Sequence, residues 1–157
     1  MPAVALWQVR AVHDLSLTGL AVVAGVLVVA TAVGLWHRRR DGRITAAGPT
    51  AGASAALAGL GVTTGAPVLV QFSSAVCAPC QATRRVLERV GRTVDGVRLL
   101  EVDAERHLAA ARALDVWRTP TVLLVDGDGR IARRVSGVPD AAELTAAVRE
   151  LTTGMPR

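Results

Sequence analysis

The chain reads as an α/β protein, a mixed central sheet flanked by helices, preceded by one N-terminal transmembrane helix. Three observations carry this reading. Residues 15–36 form an uncharged run of Leu, Val, Ala and Gly. From Ala66 onward, short β-branched runs alternate with stretches of helical periodicity. Between the last two such runs stands Asp126-Gly127-Asp128-Gly129, a hairpin signal. Strands joined through helices run parallel and a hairpin runs antiparallel, so the sheet is expected to be mixed and covered on both faces.

The apolar run comes first. As a helix, its residues would span roughly 33 Å at about 1.5 Å per residue, enough for a hydrocarbon core of about 30 Å. Trp36 stands at its end, where an amphipathic ring favours the interface. A cleaved secretory signal is the competing reading, since Ala30-Thr31-Ala32 resembles a small-residue cleavage site. The run exceeds the about 7–15 residues of a signal's apolar region, however, and the basic cluster follows it rather than precedes it. Arg38, Arg39, Arg40 and Arg43 lie on the C-terminal flank against Arg10 alone on the other. Basic flanks stay cytoplasmic, which places residues 37–157 inside the plasma membrane's cytoplasmic face in a single-pass arrangement.

Charge and composition narrow the partners. The formal net charge is +5, with 18 basic residues, all Arg, and 13 acidic ones. The excess is concentrated beside the apolar run, where the expected partner is a lipid headgroup layer rather than nucleic acid. Aromatic residues are only 3% of the chain, too few for a platform on which single-stranded bases stack. With hydrophobic residues at 51%, a disordered chain is excluded.

The elements follow in order. Residues 1–14 are a short leading segment and 15–36 the transmembrane helix. Residues 37–65 are a basic flank and an Ala/Gly-rich linker containing Pro49, with a weak first β-α unit whose helix lies within 51–60. Residues 66–157 form the globular domain. Its strands are expected at 67–72, 97–102, 121–125 and 130–136. Its helices are expected at 77–92, 104–114 and 141–151, the last capped by Asp140.

The chemistry is concentrated in Cys77-Ala78-Pro79-Cys80, which holds both cysteines of the chain. They fall after a predicted strand, in the first turn of a predicted helix. This spacing lets the sulfurs bond, and the helix dipole with its free N–H groups favours a thiolate at Cys77. Pro79 suits a first turn because it has no N–H to leave unpaired. Cys77 is then the attacking sulfur, and Cys80, one turn on, resolves the mixed disulfide. Two cysteines alone cannot complete a four-ligand zinc site. A c-type haem site would need His where Gln81 stands. The Asp126 loop is no calcium site, since Arg130 and Gly137 occupy ligand positions. No cofactor beyond the redox-active cysteine pair and no metal are expected. His107 and Ser73-Ser74 read as a solvated helix residue and a turn, for want of partner motifs. Arg84 and Arg85 read as solvated, with a secondary use in holding Cys77 as thiolate.

These residues resemble the thioredoxin superfamily. The match rests on the strand Val68-Leu69-Val70-Gln71-Phe72, the Cys-x-x-Cys helix, Thr119-Pro120-Thr121 opening a later strand, and Gly137 beyond the hairpin. The anchor, basic run and domain together also resemble small membrane-tethered thioredoxin-like proteins of actinobacteria. The resemblance implies a thioredoxin fold and thiol-disulfide exchange with protein disulfides or dithiols. It also implies a reductase or other thiol as electron donor. In such proteins Pro120 would be a cis proline beside the redox pair, and Thr119 would offer backbone groups to an extended substrate. Trp117 is read either as core packing or as an exposed apolar platform beside them.

The surroundings of the motif depart from thioredoxin itself. Gln71 replaces an acidic residue and cannot take up a proton at neutral pH. Val76 and Ser73 replace tryptophans, Ala78 replaces a glycine, and no Lys is present to partner a buried acid. Disulfide exchange is expected to survive these changes. Two other readings stand beside the first: an outward-facing domain acting in envelope disulfide or cytochrome maturation, and a docking module whose cysteine pair is idle.

Overall fold

The computed structural model describes residues 3–48 and 52–153, with side chains described for 18–36, 41–48 and 52–153. The chain divides into two units, Met1–Arg40 and Asp41–Arg157. The first holds one helix, α1 (Ala3–Arg40), which takes in the leading segment expected before the apolar run. Within it Thr18–Trp36 is apolar and long enough to cross a membrane, with a mean hydropathy of 2.3 and none of it buried within the protein. The side chains of the basic cluster at 38–40 lie outside the described residues, as does Pro49 of the linker.

The second unit contains β1 (Ile44–Ala46), α2 (Ala53–Gly59), β2 (Val68–Ser73), α3 (Ala78–Thr93), β3 (Arg98–Asp103), α4 (Leu108–Ala113), β4 (Thr121–Val125), β5 (Ile131–Ser136) and α5 (Ala141–Thr153). Five strands form one sheet in the order β1-β5-β4-β2-β3. Strands β2 and β3 run parallel, joined through α3, while β4 runs antiparallel to both β2 and β5. The weak first β-α unit is real, and its strand pairs antiparallel with β5, leaving β3 as the opposite edge. Leu99 on that edge is exposed, whereas every residue of β2 and β4 is buried.

Alternation along the central strands divides the core into two layers. Val68, Val70, Phe72, Leu123 and Val125 pack with Leu57 of α2 and Ala111 of α4. Leu69, Val122 and Leu124 pack on the other face with Leu87 and Val90 of α3 and Leu144 and Val148 of α5. A one-residue slip would carry both sets to the wrong layer, so the register is strongly specified.

Local chemistry sets the ends. The Asp140 carboxylate accepts the N–H groups of Ala142 and Glu143 at 2.8 and 3.0 Å, capping α5 as expected. In the hairpin, Asp126 accepts the N–H groups of Asp128 and Arg130. Helix α4 starts later than the expected Ala104. The Asp103 carboxylate takes the N–H groups of Glu105 and Arg106, holding residues 104–107 in turns. His107 is therefore the residue before the helix, exposed as expected, with Nδ1 3.0 Å from the Asp103 carbonyl. At the start of the unit Gly42 donates to the Ser136 carbonyl at 2.6 Å. A Cβ there would lie 2.2 Å from the Val138 carbonyl oxygen, and φ is +81°, so only glycine fits.

Candidate active site

The site is built where β2 ends and α3 begins. Phe72 and Ser73 close the buried strand, and Ser74, Ala75 and Val76 carry the chain to the helix. Cys77 is the N-cap of α3, and its sulfur accepts the Cys80 N–H at 3.2 Å. That bond uses one of the donors a helix start leaves free and favours negative charge on Cys77 Sγ. Ala78 and Pro79 fill the first turn, so the proline costs no backbone hydrogen bond. Cys77 and Cys80 are joined by a disulfide, with Cα atoms 5.3 Å apart. Cys77 is half-buried and Cys80 is buried at 4% exposure. Cys77 is thus the more accessible residue of the pair.

Gln71 is buried beneath the pair, and its Nε2 donates to the Cys80 carbonyl at 3.0 Å. It anchors the turn that carries Cys80. Val76, at the position before Cys77, is 97% exposed. The Thr119–Pro120 peptide bond is cis, and Pro120 is buried with its carbonyl accepting the Gly137 N–H. Ser74 and Thr119 hydroxyls lie 3.3 Å apart, tying the loop before Cys77 to the residue before Pro120. Ser74 is therefore more than a turn residue.

Trp117 resolves to the exposed alternative, with 81% of its surface open. Its indole N–H donates to Asp115. Asp115, at a positive φ of 55°, has its carbonyl held by Arg134. Arg118, next along, pairs with Asp41 at 2.6 Å. The segment between α4 and β4 is thus fixed from both sides while its apolar ring stays in solvent.

Sequence reading missed one part of the site. Arg84, exposed as expected, also forms an ion pair with Glu101 of β3. The guanidinium is held further in its charged form, first by the hydrogen bond to Glu101 and then by its charge. Glu101 is the ladder partner of Gln71, and the parallel register was the signal that would have found it. Both cysteine sulfurs are used in the disulfide. Among the described residues no group of three or more His, Cys, Asp or Glu is arranged to hold a metal ion.

A cysteine pair that closes a disulfide at the head of a helix, on an α/β sheet with helices on both faces, defines a thiol-disulfide oxidoreductase. The comparisons with known proteins agree. The Thioredoxin family model matches residues 61–150. A thioredoxin-like protein of Synechocystis sp. is 33% identical over 79 residues, covering 50% of this chain and 74% of the relative. The thioredoxin of Mycolicibacterium smegmatis is 33% identical over 92 residues, covering 57% of this chain and 79% of its own. Among solved structures, a mutant thioredoxin from Halobacterium salinarum superposes with a TM-score of 0.52 at 28% identity, covering 57% of this chain and 78% of that one. The chain belongs to the thioredoxin family.

Proposed function

We infer that the chain is a membrane-tethered disulfide reductase, anchored by one transmembrane helix with its thioredoxin domain on the cytoplasmic side. The observation that carries the redox assignment is the Cys77–Cys80 disulfide at the start of α3, with Cys77 the more open residue. The apolar stretch Thr18–Trp36 and the Arg-rich flank that follows it support the tether and its orientation.

The reaction proceeds in two exchanges. The reduced Cys77 thiolate attacks one sulfur of a substrate disulfide. That bond breaks, a Cys77–substrate disulfide forms, and the departing substrate thiolate takes up a proton. Cys80 then loses its proton and attacks Cys77 Sγ, which releases the second substrate thiol and closes the Cys77–Cys80 bond. Two electrons pass to the substrate. A reductase or other thiol donor returns two electrons and two protons.

Docking is assigned to the surface around the pair. Thr119, tied to Ser74 just before Cys77, offers backbone groups to an extended substrate segment, and the exposed ring of Trp117 supplies apolar area. Ala78 and Pro79 set the turn, and Gln71 holds Cys80 in place without carrying a proton.

Insulin reduction by the full chain in mild detergent tests the activity. Turnover by wild type and none by Cys77→Ser is expected; equal rates would leave an idle docking module. Impermeant thiol labelling of intact cells tests the orientation. Protection of Cys77 is expected, and labelling from outside would turn the domain round to an envelope role.

A further inference from the structure

Resolution requires the buried Cys80 thiol to lose a proton, and Gln71, bonded to the Cys80 carbonyl, cannot accept one. We propose that Glu101 is the proton acceptor for Cys80, working through water in the cleft that both line and held in place by Arg84. This rests on the reading that Cys80 resolves the mixed disulfide.

Three independent observations converge on Glu101. In the parallel ladder it is the direct partner of Gln71, so the two side chains leave the sheet side by side on the α3 face. It lines two adjoining clefts, one of about 280 Å³ with Gln71 and Leu87, the other of about 230 Å³ with Cys77, Cys80 and Asp103. Either cleft has room for several waters, each occupying about 30 Å³. Arg84, one helical turn after Cys80 on α3, also lines both clefts and grips the Glu101 carboxylate. The Glu101 side chain is 36% exposed, so a proton accepted from the buried sulfur reaches bulk water. Strand β3 is an edge strand, and among the described residues no further strand covers that exit.

Asp103, the other carboxylate in the smaller cleft, is engaged elsewhere. Its carboxylate accepts the N–H groups of Glu105 and Arg106 and faces the Arg106 guanidinium. The charged groups facing Glu101 are therefore Arg84 and Glu88 from α3 and Asp103 on its own strand, with neutral Gln71 from β2.

The step balances as follows. Glu101 takes the Cys80 proton as Cys80 Sγ bonds to Cys77 Sγ. The bond from Cys77 to the substrate sulfur breaks, and that sulfur leaves with the electron pair. The Glu101 proton then passes to solvent or to the departing thiolate.

The test is stopped-flow reaction of the reduced full chain with dithiobis-nitrobenzoate, an aromatic disulfide with a coloured leaving thiolate. The first phase reports attack by Cys77 and the second reports resolution by Cys80. With a general base, the wild-type second phase stays nearly flat through the neutral and mildly acidic range. Without one it falls by about tenfold per pH unit. Glu101→Gln is expected to slow the second phase about 100-fold near neutral pH and to converge with wild type in alkali, where the thiol ionises unaided. A steep wild-type slope, an unchanged or faster Glu101→Gln, or slowing by the same factor at every pH overturns the proposal. Faster resolution is the result if Glu101 acts only by repelling the thiolate. Should Glu101→Gln fail to fold, the wild-type slope alone decides. Failure of the underlying reading looks different: the second phase would be missing, or would persist in Cys80→Ser.

Discussion

Replacing Gln71 with Glu puts a titratable group of nearly the same shape where an amide now donates to the Cys80 carbonyl from a site 2% exposed. The protonated acid keeps a donor for that carbonyl; the carboxylate has none. Burial disfavours the charged form, and loss of the donated hydrogen bond disfavours it further. Glu101, the ladder partner, adds repulsion, and Arg84 in the adjoining cleft offsets part of it. A fully buried acid of this kind is raised by about 3 units from its ordinary value near 4.3.

The sign follows from proton binding. The folded state holds a proton that the unfolded state releases, so stability falls as pH rises through that window. At about 1.36 kcal/mol per unit, Gln71→Glu should lie close to wild type below about pH 4 and lose about 4 kcal/mol by about pH 8. Against a typical total of about 5–15 kcal/mol this is a large effect. Urea unfolding of the oxidised full chain in mild detergent, followed by circular dichroism at about pH 5 and about pH 8, measures it. A loss independent of pH, or no loss, would refute the placement of Gln71 as a buried donor to Cys80.

Further predictions address the cap and the docking surface. Asp140→Ala removes the acceptor for two N–H groups at the start of α5 and should cost about 1 kcal/mol in urea unfolding, with the disulfide unaffected. Trp117→Ala removes an exposed ring and should change stability by no more than about 0.5 kcal/mol. It should slow reduction of insulin several-fold while leaving the reaction with dithiobis-nitrobenzoate unchanged. Equal slowing of both would mean that Trp117 supports the sulfurs rather than the substrate.

What could be read in advance was what lies in local pattern. The β-branched runs of β2 and β4 are buried on both faces, and such strands announce themselves as continuous apolar stretches. The helix start at Cys77, the cap at Asp140 and the Asp126 hairpin each depend on neighbours a few residues apart. What escaped depends on pairing across the sheet. Strand β1 is only three residues long, and its place beside β5 follows from tertiary packing. The Glu101–Arg84 pair arises only once β3 is laid parallel to β2 under α3. The late start of α4 was visible in principle, since Asp103 is a residue type that captures nearby N–H groups. Trp117 was open to either reading because exposure is settled by the loop's distant anchors, Arg134 on Asp115 and Asp41 on Arg118.

The different tasks of the two sulfurs are tested most directly by intact-mass measurement of the full chain, each cysteine replaced in turn, after reduction and mixing with insulin. Cys80→Ser should accumulate a covalent adduct that dithiothreitol releases, because the attack by Cys77 is made and never resolved. Cys77→Ser should accumulate none. Equal adducts on both variants, or adduct on Cys77→Ser alone, would contradict the assignment of Cys77 as nucleophile and Cys80 as its partner.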